Sequence, residues 1–385
     1  MAASIDNIQA PAAAGQPSPP TLQSLPVEIL LEILSSSSFS TIENLLLTSR
    51  RLHAIISTHW PAFMSPILTA EFSPVQPFFD TYTTVDLPPG MSCTHLLAVC
   101  NSLPGASFAP LLAFCRAIRR WEAEFPRLRF GRAAHCSRAL RPHEAVRLRG
   151  ALYVWWRYAR RFHGPEATGG GSDGSGGGSG GGSGSFEATR AFVRALSTTE
   201  LHEVYDLWTT VRGAVGRKVC PSVSVVRGGG VSEFIWSWGK LLTEEEGARV
   251  GWGDVAENCD ILDTMLKLSP ENILHLLVYR HRYATKASVV QFIRLRHPRI
   301  EDSVETFSHA MLDLMELRSA GPNWPFPCTG YPGDTGGILD HKQPDQEQLR
   351  AVHASDGGTG TPAGGLWWGS AGPTVDRPGR LELRP

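Results

Sequence analysis

The sequence predicts a mainly α-helical chain. It opens on a three-helix unit and continues as an irregular helical domain, with a disordered N-terminus, an internal Gly/Ser insert and a disordered C-terminal tail. Three observations carry this expectation. Apolar residues recur at three- and four-residue spacing, as in Ala145, Leu148, Leu152, Trp155, Trp156 and Ala159, the stripe that a helix buries. Helix-start signals recur as well: Ser40-Thr41-Ile42-Glu43 and Ser197-Thr198-Thr199-Glu200 read as capping boxes, and Ser269-Pro270-Glu271 as a cap, a first-turn proline and an acid. Strand-like runs are few, Ser222 to Val226 being the best, and no repeat of fixed period appears.

Taken in order, residues 1–21 are Ala, Pro, Gln and Ser with little to bury, and disorder is expected. Residues 22–62 form the three-helix unit. Residues 64–167 are read as a helical region. Up to residue 110 its periodicity is weak and broken by Pro, so only one or two short helices are expected there. Its clear helix spans Arg141 to Phe162, with Pro142 in the first turn, where a missing N–H costs nothing. Residues 168–185 read TGGGSDGSGGGSGGGSGS; nothing in them can pack, and glycine loses the most entropy on ordering, so a flexible insert is expected.

Residues 186–318 are read as a second helical region. Helices are expected at Phe186–Leu196, Thr198–Val211, Val231–Leu242, from Thr243 onward with Glu244, Glu245 and Glu246 in the first turn, and at Val255–Leu268. A further helix starts at Ser269 and runs to about Tyr283, and two more lie near Lys286–Arg296 and Glu301–Leu317. Residues 319–385 are rich in Gly, Pro, Asp and Thr, a tail expected to be disordered and in which the Trp367-Trp368 pair is expected to be idle.

The bulk numbers bound the function. A length of 385 residues fits two or three compact units. A net charge of −1 gives no global pull toward nucleic acid or membrane. The charge is uneven, with thirteen Arg against three Glu in 115–163 and eight acids against two bases in 233–263. A genome-level Arg bias explains this most simply; the functional reading is an Arg-rich surface that meets an acidic partner or the acidic half of the chain. Seven unpaired-looking Cys and the lack of a charged-then-apolar leader point to reduced thiols in the cytoplasm and/or nucleus. The least charged run, His95 to Cys115, is broken by Asn101, Pro104, Gly105 and Pro110, so no membrane span is expected.

The segment with most to say is 22–62. In Leu25 to Leu34, LPVEILLEIL, the residues Leu25, Ile29 and Ile33, with Leu30 and Leu34, cover one wide helix face; Pro26 fixes the start, Ser24 is available as a cap, and Glu28 and Glu32 lie opposite. The capping box at Ser40 launches Ile42, Leu45, Leu46 and Leu47, and Thr48 or Ser49 caps a third helix with Arg50, Arg51, Leu52, Ile55 and Ile56. Three short helices of this size are marginal alone, and they carry more large aliphatics than such a core needs, which points to a partner.

The pattern LPxEIL-x-x-IL, then a loop, then L-x-L-TSRRLH-x-IIS, resembles the F-box, in the form common in fungal proteins. The helix at 140–162 is similar to one found downstream of the box in many such proteins. The resemblance implies three helices that bind the small Skp adaptor and through it a cullin, while the rest of the chain captures an unknown protein substrate for ubiquitination. The adaptor-facing positions it implies are Leu25, Pro26, Ile29, Leu30, Ile33, Leu34, Leu45, Leu47 and Leu52. One departure is the loop Ser35 to Phe39, where the family often has an apolar residue and a proline; Phe39 is the residue available to replace that contact.

Other constellations carry less. Cys93, His95 and Cys100 lack the paired spacing and second pair of a structural zinc site. Arg227-Gly228-Gly229-Gly230 lacks the Lys-Ser/Thr of a phosphate loop and reads as a turn. A Cys136–His135 or Cys136–His163 nucleophile needs spatial proximity that sequence cannot supply. The Arg/Trp helix at 141–162 has RNA-binding chemistry, but its Trp residues lie on the apolar stripe. The expected protein is therefore a non-catalytic recruiting subunit of a Skp–cullin–F-box ubiquitin ligase, without cofactor or metal. The alternatives are an F-box-bearing scaffold outside ubiquitination and an Arg-rich nucleic-acid-binding helical protein.

Overall fold

The computed structural model describes residues 22–83, 90–102, 108–130, 138–164, 183–227, 251–279, 282–283, 285–298, 300, 305–319 and 337–339. Among these the regular structure is helical throughout, and no strand occurs. The chain divides into two compact units, one of residues 1–71 and 92–109, the other of residues 72–91 and 110–385.

The first unit begins with a 3-10 turn at Leu22–Ser24, followed by α1 (Val27–Ser35), α2 (Phe39–Thr48), α3 (Arg50–Glu71) and α5 (Cys93–Ser102). The four serines between α1 and α2 explain both helix ends. Ser35, Ser36 and Ser37 hydroxyls donate to the Glu32 and Ile33 carbonyls at 2.7–3.0 Å, satisfying acceptors that the last turn of α1 leaves open. Ser38 then caps α2, its Oγ accepting from Thr41 N at 3.2 Å. The start of α2 is thus two residues ahead of the Ser40 box. Ser49 Oγ accepts from Leu52 N at 3.4 Å, capping α3 as expected.

Helix α3 runs on through Pro61 and Pro66 to Glu71, past residue 62, the expected end of the three-helix unit. Each proline removes one ladder bond. Against that, Trp60, Phe63, Met64, Ile67 and Leu68 are all buried on its inner side, and full burial contributes about 1.5–3 kcal/mol per large apolar side chain. The Ser65 carbonyl is taken up by the Thr69 hydroxyl at 2.9 Å, and the Ser65 hydroxyl meets Thr94 of α5 at 3.1 Å.

The second unit holds α4 (Val75–Tyr82), α6 (Phe108–Phe130) from Pro110 onward, α7 (Pro142–His163), α8 (Ser183–Arg194), α9 (Thr198–Lys218), α10 (Val223–Arg227), α11 (Val255–Met265), α12 (Pro270–Val278), α13 (Lys286–Arg296) and α14 (Phe307–Ser319). Its axis is α7, which packs on α4, α9 and α12. The expected stripe of α7 is the core: Leu148, Leu152, Trp155, Trp156 and Ala159 are all buried. Trp155 meets Trp121 at 6.1 Å and Trp208 at 5.6 Å, and Tyr158 stacks on Phe307 at 4.1 Å, so the Trp residues serve packing. Glu144 closes the N-terminal box of α7, accepting from Arg141 N at 2.8 Å and from both Arg138 guanidinium ends at 2.5 and 2.6 Å.

Several elements depart from expectation. Helix α9 extends past Val211 to Lys218 because Ala214 and Val215 are buried. Gly216 there faces Leu262 of α11 so closely that a Cβ would lie 3.3 Å from it. Ser222–Val226 is not a strand: α10 occupies Val223–Arg227, with Ser222 Oγ accepting from Val225 N at 3.3 Å, a local cap that wins where no neighbouring strand is available. The helix from Ser269 ends at Val278, short of Tyr283, and the last one starts at Phe307. Within the tail, Gly337, Ile338 and Leu339 are buried, and Ile338 N donates to Asp206 of α9 at 3.0 Å. Helix α8 begins at Ser183, inside the flexible insert expected over 168–185; the rest of that insert and the expectations for 1–21, for the helices at 231–250 and for Trp367-Trp368 lie outside the described residues.

Candidate functional site

The first unit sorts its aliphatic residues into two sets. Phe39, Ile42, Leu46, Leu52 and Ile56 join Leu30 and Leu34 as its core. Ile29 (45% exposed), Ile33 (36%) and Leu47 (82%) are left facing solvent on the same helices. Ile29 and Ile33 lie one turn apart on α1 and so share a side of it. Between residues 22 and 56 seven large side chains are thus buried while Ile29, Ile33 and Leu47 stay exposed, an arrangement in which an apolar face is left over from the core.

Of the nine residues singled out from sequence, Leu30, Leu34 and Leu52 are buried within the unit. Pro26, Ile29, Ile33 and Leu47 are exposed, and Leu25 and Leu45 are half-buried. Phe39 is buried in the core and leaves the Ser35–Ser38 loop without an exposed apolar residue. Two further residues matter that the sequence reading gave no role. Arg51 of α3 donates from its guanidinium to the Leu25 carbonyl at 3.2 Å, fastening the segment before α1. Leu22 is exposed at 36% beside that segment. Adjacent arginines at the start of an otherwise apolar helix were the available signal for the first.

Elsewhere the structure offers little chemistry. Cys93 and Cys100 lie on α5; burial, reinforced by Cys93, pushes the Cys100 thiol up to about 12, so it stays protonated and a poor nucleophile. Cys136 and His135 lie outside the described residues. His163 meets the Tyr158 hydroxyl at 2.9 Å. Among the described residues no three His, Cys, Asp or Glu side chains gather as metal ligands, and no helix is long and apolar enough to cross a membrane.

The Arg-rich stretch is largely spent on the second unit itself. Arg119 and Arg149 pair with Glu122, Arg127 with Glu124, Arg129 with Asp206, Arg138 with Glu144 and Arg147 with Glu203. Of the acidic stretch 233–263, Asp263 pairs with Arg212 of α9, outside the Arg-rich segment.

The family model for the F-box-like domain matches residues 22–61, the segment that forms the sorted helices. The chain is therefore a protein with an F-box-like domain, and that domain occupies a small N-terminal part of its 385 residues. No curated protein and no solved structure matches the chain.

Proposed function

We propose that this chain is a non-catalytic, substrate-recruiting subunit of a Skp–cullin–F-box ubiquitin ligase, acting in the cytoplasm and/or nucleus. Pro26, Ile29, Ile33 and Leu47 contact the Skp adaptor, with Leu25 and Leu45 at the margin. Leu30, Leu34 and Leu52 hold the helices that present them. The observation that carries this reading is the exposure of Ile29, Ile33 and Leu47 inside the matched segment while their neighbours form a closed core. Covering Leu47 contributes up to about 1.5–3 kcal/mol, and Ile29 and Ile33, less than half exposed, contribute correspondingly less; together these offset part of the cost of association. The mechanism is proximity: a substrate held by the rest of the chain is kept near a ubiquitin-loaded conjugating enzyme at raised local concentration.

The test is co-expression with a Skp adaptor and a cullin, beside the double variant Ile29→Glu/Leu47→Glu. Both sites are exposed, so thermal unfolding of the variant is expected to match the wild type within about 0.5 kcal/mol, while co-purification of the adaptor drops at least tenfold. Retention of the adaptor by the double variant removes this surface from the reading. Adaptor without cullin in the wild-type complex turns the proposal into that of a scaffold outside ubiquitination.

A further inference from the structure

In the second unit, around the end of α12, three guanidiniums gather on one aromatic cluster. Arg120 of α6 donates to the Tyr279 hydroxyl at 2.7 Å, with its Cζ 4.7 Å from the ring centre. Arg282 lies 4.4 Å from the same ring centre, and Arg296 of α13 lies 4.0 Å from that of Phe292. Phe292 in turn stacks on His275 at 5.0 Å and 3°, and His275 shares a hydrogen bond with the Tyr283 hydroxyl at 2.9 Å. The pKa of His275 is held below the ordinary histidine range, first by burial and then by Arg296, Arg282 and Arg120 in that order. His275 also meets the Tyr279 ring at 4.8 Å, so all three cations lie against one connected aromatic cluster.

This cluster lacks what the other arginines have. Arg119, Arg127, Arg129, Arg138, Arg147 and Arg149 each pair with a carboxylate of the same unit, whereas no carboxylate lies within ion-pair distance of Arg120, Arg282 or Arg296 among the described residues. The sequence explains the imbalance: from Asn272 to Ile300 there is no Asp or Glu, while Arg280, Arg282, Lys286, Arg294, Arg296 and Arg299 fall within it. Arg282 and Arg296 are exposed, and Arg120 is half-buried. Guanidiniums held over aromatic rings lose little further freedom on binding, and their remaining N–H groups are open to an oxyanion.

We propose that Arg120, Arg282 and Arg296 form a receptor for an anionic protein segment, one presenting clustered carboxylates or phosphates on an extended or loop backbone. Arginine matches either group through paired N–H donors. A nucleic-acid strand is the poorer fit: base stacking needs open ring faces, and here guanidiniums lie over Tyr279 and Phe292 while His275 stacks on Phe292. The cations also gather on the joined rings of Tyr279, His275 and Phe292. Naming the segment as the substrate's rests on the reading of the chain as a recruiting subunit; the anion site itself does not.

The experiment uses the full chain and fluorescently labelled peptides of equal length, one Glu-rich, one bearing two phosphoserines and one neutral, beside a single-stranded RNA of the same charge. Binding is read by anisotropy at two salt concentrations. Either acidic peptide is expected to bind at least tenfold tighter than the neutral one, and Arg282→Ala/Arg296→Ala to lose at least tenfold. A preference for the phosphopeptide assigns phosphate as the recognised group, and parity assigns charge alone. Equal binding of the neutral peptide, indifference to the double variant, or preference for RNA overturns the proposal. Adaptor co-purification of Arg282→Ala/Arg296→Ala is measured alongside and is expected to be unchanged. Loss of peptide binding with adaptor retained then defeats only this inference when seen in the wild type, and loss of adaptor with peptide binding retained defeats only the recruiting reading.

Discussion

Glu71, the last residue of α3, accepts the backbone N–H of Phe39, the first residue of α2, at 2.9 Å. The carboxylate sits where the dipole of α2 is positive and takes one of the donors that a helix start leaves open. Phe39 is itself buried, so this bond fixes a core residue as well as a helix end. Glu71→Ala is expected to destabilise the chain by about 1–2 kcal/mol, visible as a lower urea midpoint. A midpoint unchanged from wild type means that water replaces the carboxylate without cost.

The buried pair Arg149–Glu122 in the second unit makes a different prediction. The ion pair spans 2.5 Å between side chains that are 5% and 11% exposed, and Arg149 Nε also donates to the Ser73 carbonyl at 2.7 Å. Glu122→Leu strands the buried Arg149 guanidinium and is expected to cost about 3–5 kcal/mol, whereas Arg149→Met costs less, because Arg119 still pairs with Glu122 at 2.8 Å. The double variant is expected to cost clearly less than the sum, because neither charge is then stranded. Additive losses in a double-mutant cycle count against any coupling between the two.

Two groups shape stability with pH in opposite directions. Burial, with smaller effects of Lys267 and His297, lowers His163 from 6.5 to about 3. The unfolded chain therefore binds a proton that the fold refuses, and stability falls as pH drops from 6.5 toward 3. Burial of Glu203 raises its carboxyl from 4.5 to about 7, outweighing Arg147 at 3.8 Å. Here the fold keeps the proton longer, so this contribution is whole below 4.5 and is lost as pH rises toward 7. Urea midpoints between pH 4 and 8 are expected to flatten on the acid side in His163→Gln and on the rising side in Glu203→Gln. An unaltered pH profile in either variant assigns the slope to other groups.

The sequence carried the helical class and the long elements because those rest on local signals. The Ser197–Glu200 box is present as read, with reciprocal bonds at 2.8 and 3.2 Å, and the Ser269 cap and the α13 limits agree as well. What it missed is what tertiary burial decides. The expected three-helix unit ends at residue 62, yet burial of Trp60, Phe63, Met64, Ile67 and Leu68 carries α3 on to Glu71. A five-residue Val-rich run read as strand, since periodicity cannot see that no partner strand lies beside it. Within α1, periodicity put Leu30 and Ile29 on one apolar face; only packing shows that the first is enclosed and the second is not. The Arg120–Arg282–Arg296 cluster joins residues far apart in the chain, although the acid-free run at 272–300 was legible.

Helix α3 has one more consequence. The segment matched by the family model stops at residue 61, eleven residues before the second unit begins at Phe72. Cutting there would sever a continuous helix, strip away Phe63, Met64, Ile67 and Leu68, and take Glu71 from the start of α2. The stretch that can be recognised is thus shorter than the compact unit to which it belongs. A chimera grafting residues 22–61 onto another carrier would inherit an unfinished module, while one grafting through Glu71 together with α5 would carry its own foundation.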